Sequence, residues 1–348
     1  MEMFGGNLYV SGQIRDGGRT NRAGLDPRRQ YFAGMDAEEA AFDRENHRIG
    51  AGNFEQVSMM WNGSFPMERG TLYTFGGFNS RDGESGCYYR RAQDNRTLRA
   101  WYPDGFLPLI SPTLSDKSMA VGMKGLMGDY AYDLSVNTGS NDFQWGMQNS
   151  HNATYGTGPG QQSEFDLGTL GYSQTTVNFD VTTQMDMEGF AGPVSLAMGA
   201  EMRMENYTIE AGEEAGYADG GFDVLDGPNA GASAAVGCQC LPGLAPNNEQ
   251  DRDRDAFSVY VDAEADVLDN LLVNVALRTE NYSDFGQTTN GKVAMRYELQ
   301  DGVAARGSFS TGFRAPALQE AYFSSIATNF IDGIPYEVGT FPVDTEPA

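Results

Sequence analysis

The chain has 348 residues, including 44 Gly, 17 Tyr, 20 Phe and 16 Met, and its 23 Lys and Arg stand against 48 Asp and Glu for a formal net charge of −25. That balance excludes a nucleic-acid partner, because phosphate recognition needs clustered cations. No run of about 18 apolar residues occurs, so no membrane-spanning helix is expected, whereas a transmembrane β-barrel hides its signal in alternation and stays open.

Alternation is what the chain offers. In residues 7 to 15, Leu8, Val10 and Ile14 fall on one face and Asn7, Tyr9, Ser11, Gln13 and Arg15 on the other, the period-two signature of a strand with one apolar and one wet side. In 54 to 65, Val57, Met59, Trp61 and Phe65 oppose Gln56, Ser58 and Asn62. Weaker patterns place strands at 71 to 80, 118 to 127 and 164 to 183. The signal is clear again where Tyr130, Tyr132, Leu134 and Val136 oppose Asp133, Ser135 and Asn137. In 194 to 205, Val194, Leu196, Met198, Met202 and Met204 oppose Ser195, Glu201, Arg203 and Glu205. In 257 to 267, Phe257, Val259, Val261, Ala263 and Val267 oppose Ser258, Tyr260, Asp262, Glu264 and Asp266. Segments 271 to 278, 292 to 299 and 303 to 311 complete about eleven strands.

Connector length also alternates. Long polar stretches at 16 to 50, 81 to 117, 138 to 163 and 211 to 253, and a moderate one at 281 to 286, take turns with short ones at 66 to 70, 128 to 129, 188 to 193, 268 to 270 and 300 to 302. An outer-membrane barrel has long loops at one rim and tight turns at the other. A soluble antiparallel sandwich or a β-solenoid also alternates, but it would bury Glu201, Arg203, Glu205, Asp262, Glu264 and Asp266, which a water-filled lumen leaves solvated. The fold class is therefore all-β, an antiparallel transmembrane β-barrel. Phe65, Tyr130, Tyr297 and Phe309, near strand ends, are expected in interfacial girdles.

Other chemistry is sparse. Cys238 and Cys240 are one residue apart, Cys87 is distant and only His47 and His151 accompany them, so loop thiols or one loop disulfide are expected, with no metal site and no cofactor. The same scarcity of histidine leaves no nucleophile–base set, and no enzymatic activity is expected. The acidic runs "GEEAGYADGGFD" at 212 to 223 and "EQDRDRDAF" at 249 to 257 read as solvated loops. The first ten residues hold no cationic segment followed by an apolar one, so an export signal is expected outside this chain.

Two passages go further. "LRTENYSDFG" at 277 to 286, followed by "NGKVAMRYELQDGVAARGSFSTGFRAPALQEAYFSS" at 290 to 325, resembles the barrel of TonB-dependent outer-membrane receptors, as do "LYTFGGFNSRDGESGCYYRRAQDNR" and "WYPDGFLPLI" within 72 to 110. The resemblance implies a barrel of about 22 strands, of which residues 1–348 would form a partial barrel domain without the family's plug domain or TonB box. It further implies outer-membrane uptake of a scarce nutrient such as a ferric siderophore, haem, vitamin B12 or a glycan. The implied partners are membrane lipid and lipopolysaccharide, a small-molecule ligand and, through the plug, the TonB–ExbB–ExbD energising complex. A passive porin or a surface-binding barrel is the alternative. Tyr282, Asp284, Phe285, Gly286, Gly312, Phe313, Arg314 and Pro316 carry the family motif and are assigned to architecture, Arg314 by bonding rim carbonyls and Pro316 by ending the ladder. In the loop of 81 to 117, Tyr88, Tyr89, Arg90, Arg91, Trp101 and Tyr102 suit either ligand stacking and charge or plain loop packing.

Overall fold

A computed structural model describes residues 2–3, 5–331 and 334–346. Eleven long strands dominate it: β1 (Gly6–Gly17), β2 (Asn53–Met67), β3 (Gly70–Gly86), β4 (Thr113–Met127), β5 (Tyr130–Gln148), β6 (Phe165–Met185), β7 (Val194–Ala211), β8 (Gln250–Leu268), β9 (Leu271–Tyr282), β10 (Gly286–Gln300) and β11 (Val303–Ser310). With two short pieces, Glu2–Met3 and Leu109–Ile110, they form one 13-stranded antiparallel sheet in which each long strand pairs with the next in sequence. Among the described residues β1 and β11 do not pair with each other.

The register turns the sequence alternation into two faces. Thr74, Val121, Val136, Val177, Met202 and Phe257 are successive cross-strand partners, as are Val181, Met198, Val261 and Leu277, and then Ala263, Val275, Val293 and Phe309. These rows face outward: Met198 is 38% exposed and Val261 42%, in a chain that leaves about fifty large apolar side chains uncovered. So wide an apolar surface is incompatible with water on that face and suits lipid. One residue out of phase, Ser135, Asn178, Glu201, Ser258 and Glu280 line up on the opposite face, beside the row Asn137, Thr176, Arg203, Ala256 and Tyr282. Polar bonds cross that inner wall, Tyr260 Oη donating to Asp180 at 2.6 Å and Tyr73 Oη to Asp133 at 2.7 Å.

The strands outrun the sequence expectation chiefly at the long-loop end, and by a residue or two at the other. β5 continues to Gln148, β3 to Gly86, and β4 and β8 begin at Thr113 and Gln250, so three long loops shrink to 87–112, 149–164 and 212–249, while the first keeps its length and shifts to 18–52. In these extensions the outer face meets water and the inner face is partly packed under the loops, as at Met147, Tyr207 and Ile209, so the lipid-side phase of hydropathy is lost while the ladder goes on. Asn79 and Asn141 both donate to Asp116, at 3.0 and 2.6 Å. "DRDRD", read as a loop, lies within β8 for the same reason. At the tight-turn end the connectors are 68–69, 128–129, 186–193, 269–270 and 301–302, and Phe65, Tyr130 and Tyr297 stand there. Phe309 instead pairs with Val293, four residues above Tyr297.

A lipid-facing row makes a sharp prediction. Val261→Arg is expected to lose about 2–4 kcal/mol of stability in bilayer vesicles, while Ala197→Arg, which points inward opposite Asp262, stays within about 1 kcal/mol of wild type. Denaturant unfolding of the two variants measures the difference.

Candidate functional site: the outer loops and the inner wall beneath them

The four long loops are fastened into one cluster. A disulfide joins Cys87 to Cys240, with their Cα atoms 6.3 Å apart, tying the loop after β3 to the loop after β7. Arg99 pairs with Asp226 across the same two loops, and the Tyr31 hydroxyl donates to Asp104 at 2.6 Å to draw in the loop after β1. One cysteine disulfide and one thiol result: Cys238 is buried with its Sγ 3.2 Å from Ser150 Oγ, and burial pushes the thiol up to about 12.

Two polar centres organise the cluster. Asp26, nearly fully buried, accepts from Arg28 Nε and Nη2 at 2.9 and 2.7 Å, from Gln30 at 2.9 Å and from Asn46 at 3.2 Å; the guanidinium foremost holds its carboxyl well below the ordinary range. His151, wholly buried, stacks on Tyr102 and packs at a tilt against Phe106, with ring centroids 5.4 and 4.7 Å away, and its Nε2 accepts from the Leu98 amide at 3.2 Å. Burial lowers its pKa to about 4, so the ring is neutral at physiological pH.

That depression sets a pH limit. Because the unfolded imidazole takes a proton near pH 6.5 and the folded one only near 4, stability contributed by the neutral form is intact above 6.5 and drains away as pH falls through that window, by roughly 3 kcal/mol at the bottom. The loop cluster is expected to loosen on acidification, read as protease sensitivity against pH, and His151→Gln is expected to flatten that acid limb.

The six loop residues picked from sequence are brought into the cluster but do not converge on one spot. Tyr88 and Trp101 present rings to solvent, 56% and 40% exposed. Tyr88 carries the Arg28 guanidinium 4.7 Å from its centroid and packs edge-on to His47 at 5.3 Å. The other four are engaged in packing. Tyr89 donates to the Asp104 carbonyl at 3.0 Å, Arg91 to the Arg29 carbonyl at 3.0 Å and Tyr102 to the Ser150 carbonyl at 3.1 Å. Arg90 is buried, its guanidinium pulled down to about 10 by desolvation.

At the rim, the "YSDFG" and "GFRAP" segments meet. Phe313 packs edge-on to Tyr282 and Phe285, at 5.9 and 6.3 Å. The expected rim contact of Arg314 is made by Arg254: its Nε donates to Asp284 at 2.7 Å, its Nη1 to the Pro316 carbonyl at 2.9 Å, and its guanidinium lies 5.3 Å from the Phe285 centroid. Arg254 is only 2% exposed. Sequence reading missed it because "DRDRD" alternates charge sign rather than hydropathy, yet that alternation sends Arg252 and Arg254 inward and Asp251, Asp253 and Asp255 outward. Below it, the inner wall is a charge lattice: Arg203 to Glu201 at 2.7 Å, Arg278 to Glu201 and Glu280 at 3.4 and 2.9 Å, and Tyr172 Oη to Glu205 at 2.6 Å.

Comparison with known proteins agrees with this architecture. Residues 60–343 match the family described as TonB dependent receptor-like, beta-barrel. Among solved structures, the chain is similar to the siderophore receptor PirA from Acinetobacter baumannii, at 11% identity and a TM-score of 0.56, over 97% of this chain and 43% of that one. It is also similar to a variant of the ferric enterobactin receptor PfeA from Pseudomonas aeruginosa (12% identity, TM-score 0.57, 92% and 41% of the two chains) and to PfeA in complex with BCV-L6 (14%, 0.57, 91% and 40%). At these identities the likeness is one of fold, and the chain spans less than half the length of the receptors it resembles. No curated protein sequence matches it.

Proposed function

Because the chain belongs to the TonB-dependent receptor β-barrel family, we propose that it supplies wall and outer vestibule to an outer-membrane receptor for energised uptake of a scarce nutrient, with residues 1–348 as a partial barrel domain and the plug outside it. The observation that carries this reading is the coupling of two features: an apolar outer face, and long loops locked together at one rim above a wall whose inner face is charged and hydrogen-bonded. A freely diffusing solute needs no such cap, whereas a receptor that must capture its ligand before moving it does.

In this reading the ligand is a small molecule of the ferric siderophore, haem, vitamin B12 or glycan kind. It first meets the exposed rings of Tyr88 and Trp101, where aromatic faces offer area at little entropic cost. The inner wall then presents paired charges that hold water and let a polar solute pass without burying an isolated ion. Force reaches the plug from TonB with ExbB and ExbD, while lipid and lipopolysaccharide surround the apolar face.

The test is growth and uptake in a deletion strain of the parent bacterium, supplied in turn with ferric chelates, haem, cobalamin and oligosaccharides at limiting concentration. Saturable uptake of one of them, abolished by a protonophore or by loss of TonB, is expected. Uptake that rises linearly with concentration and ignores both treatments would identify a passive pore instead.

A further inference from the structure

Two cavities open on the inner wall, beneath the helix Leu318–Tyr322 that folds back over β6, β7 and β8. They adjoin across Tyr172 and Gln319, which border both. One, of about 590 Å³, is an aromatic box: Phe143, Tyr172, Tyr207, Phe323 and Phe341 contribute five rings. The other, of about 570 Å³, holds Arg203, Arg254, Arg278 and Arg314 against the carboxylates of Glu205 and Glu280. Each is large enough for a ring and its substituents. With Glu201 and Asp284, which pair with Arg203, Arg278 and Arg254, the four guanidiniums meet four carboxylates, a locally balanced patch in a chain whose net charge is −25.

The acids are engaged: Glu205 by Tyr172 and Arg254, Glu280 by Arg278 and Tyr282, and Glu320, at the aromatic side, by the Ala317 amide. Donors are left over. Arg254 Nη2 is buried without a partner, although the other guanidinium nitrogens of this 2%-exposed side chain are held. Arg314 makes no ion pair or hydrogen bond among the described residues. In the aromatic box the Tyr207 hydroxyl is likewise buried and unpartnered. The two buried donors, Arg254 Nη2 and Tyr207 Oη, are costly in this state and call for an acceptor, whereas Arg314 is exposed and reaches water until a ligand arrives.

From this juxtaposition we infer that the inner wall carries a two-part binding site for an aryl carboxylate, its flat ring in the box of Tyr172, Tyr207, Phe143, Phe323 and Phe341 and its anion on the guanidinium side of Arg314 and Arg254. The ring gains offset and edge contacts with aromatic neighbours, and the planar guanidinium matches a carboxylate with two parallel donors. Gln319 stands between the compartments on the exposed side of its helix and makes no side-chain hydrogen bond within them, so it is free to swing with the ligand. The inference deepens the uptake reading and rests on it for biological meaning, but binding itself is measured apart from transport.

The experiment uses the complete receptor purified in detergent and titrated calorimetrically with 4-hydroxybenzoate, with its neutral amide, 4-hydroxybenzamide, and with cyclohexanecarboxylate. The aryl acid is expected to bind saturably, about tenfold or more tighter than either analogue. Arg314→Gln, which breaks no bond in the protein, is expected to bring the acid down to the level of the amide. Tyr207→Phe, which removes an unpartnered hydroxyl, is expected to fold as wild type and weaken binding of all aryl probes several-fold. Equal affinities for acid and amide, or an unchanged ratio in Arg314→Gln, would overturn the site. Retained binding without energised uptake of any solute would instead sink the transport reading and leave the site standing.

Discussion

Replacing Arg254 by methionine is expected to destabilise the folded wall by about 3–5 kcal/mol, more than any other single substitution on the inner face. The side chain is buried and serves three neighbours at once: Asp284 at 2.7 Å, the Pro316 carbonyl at 2.9 Å and, at 3.9 Å, Glu205. Removing it leaves Glu205, 10% exposed, with Tyr172 alone, and takes the cation from Asp284 and the donor from the Pro316 carbonyl at the rim. Arg254→Lys is expected to recover less than half of the loss, because one ammonium on a flexible stem cannot span acceptors that a planar fork reaches together. Urea unfolding in vesicles, followed by tryptophan fluorescence, measures both variants. The rim should report the same event locally, as faster proteolysis of residues 311–324 in Arg254→Met. Near-wild-type stability of Arg254→Met would mean that the two motif segments meet for another reason.

Breaking the Cys87–Cys240 bond is expected to have an effect of similar size. The bond closes a sequence separation of 153 residues, for which chain entropy alone gives a stabilisation of about 5 kcal/mol. Part of that is offset by contacts that remain, Arg99 with Asp226 between the same two loops and the Asn152–Cys238 bridge, which ties the loop after β7 to the loop after β5. A Cys87→Ser, Cys240→Ser double variant is therefore expected to keep its strands, since β3 to β8 are held by their own ladders, but to open its loops. Circular dichroism unchanged in the β region, with the onset of loop proteolysis lowered by 10 °C or more on the order expected for several kcal/mol, is the combined signature. Cys238 is not expected to substitute in the disulfide, because burial holds it as an unreactive thiol.

The wall was legible in the sequence wherever lipid touches it. Val10, Val57, Val136, Met198, Val261 and Val293 announce their face because the alternative face is water, and a one-residue slip would exchange the two. Above the lipid the same hydrogen-bonded ladder continues with an aqueous outer face and an inner face partly covered by the loops. There Asn141, Asp116 and Arg254 obey the period of two without showing it in hydropathy. The loop site was legible in part. Aromatic and Arg residues in 87–112 announce a dense cluster, but nothing local tells that Tyr89, Arg90 and Tyr102 face inward and Tyr88 and Trp101 outward, since their partners Asp104, Ser150 and His151 lie on other turns of the chain. The motif segments at 282–286 and 312–316 were recognisable as a pair; that a residue thirty positions upstream clasps them was not.

The disulfide also constrains the order of assembly. Cys87 and Cys240 bracket β4 to β7, so their bond closes a covalent ring of four strands, the three connectors between them and most of the two flanking loops. Oxidation before insertion obliges that ring to cross the bilayer with both loops in tandem; oxidation afterwards requires two thiols to find each other at the far surface. Pulse-labelling with a thiol-reactive probe during biogenesis would show which comes first.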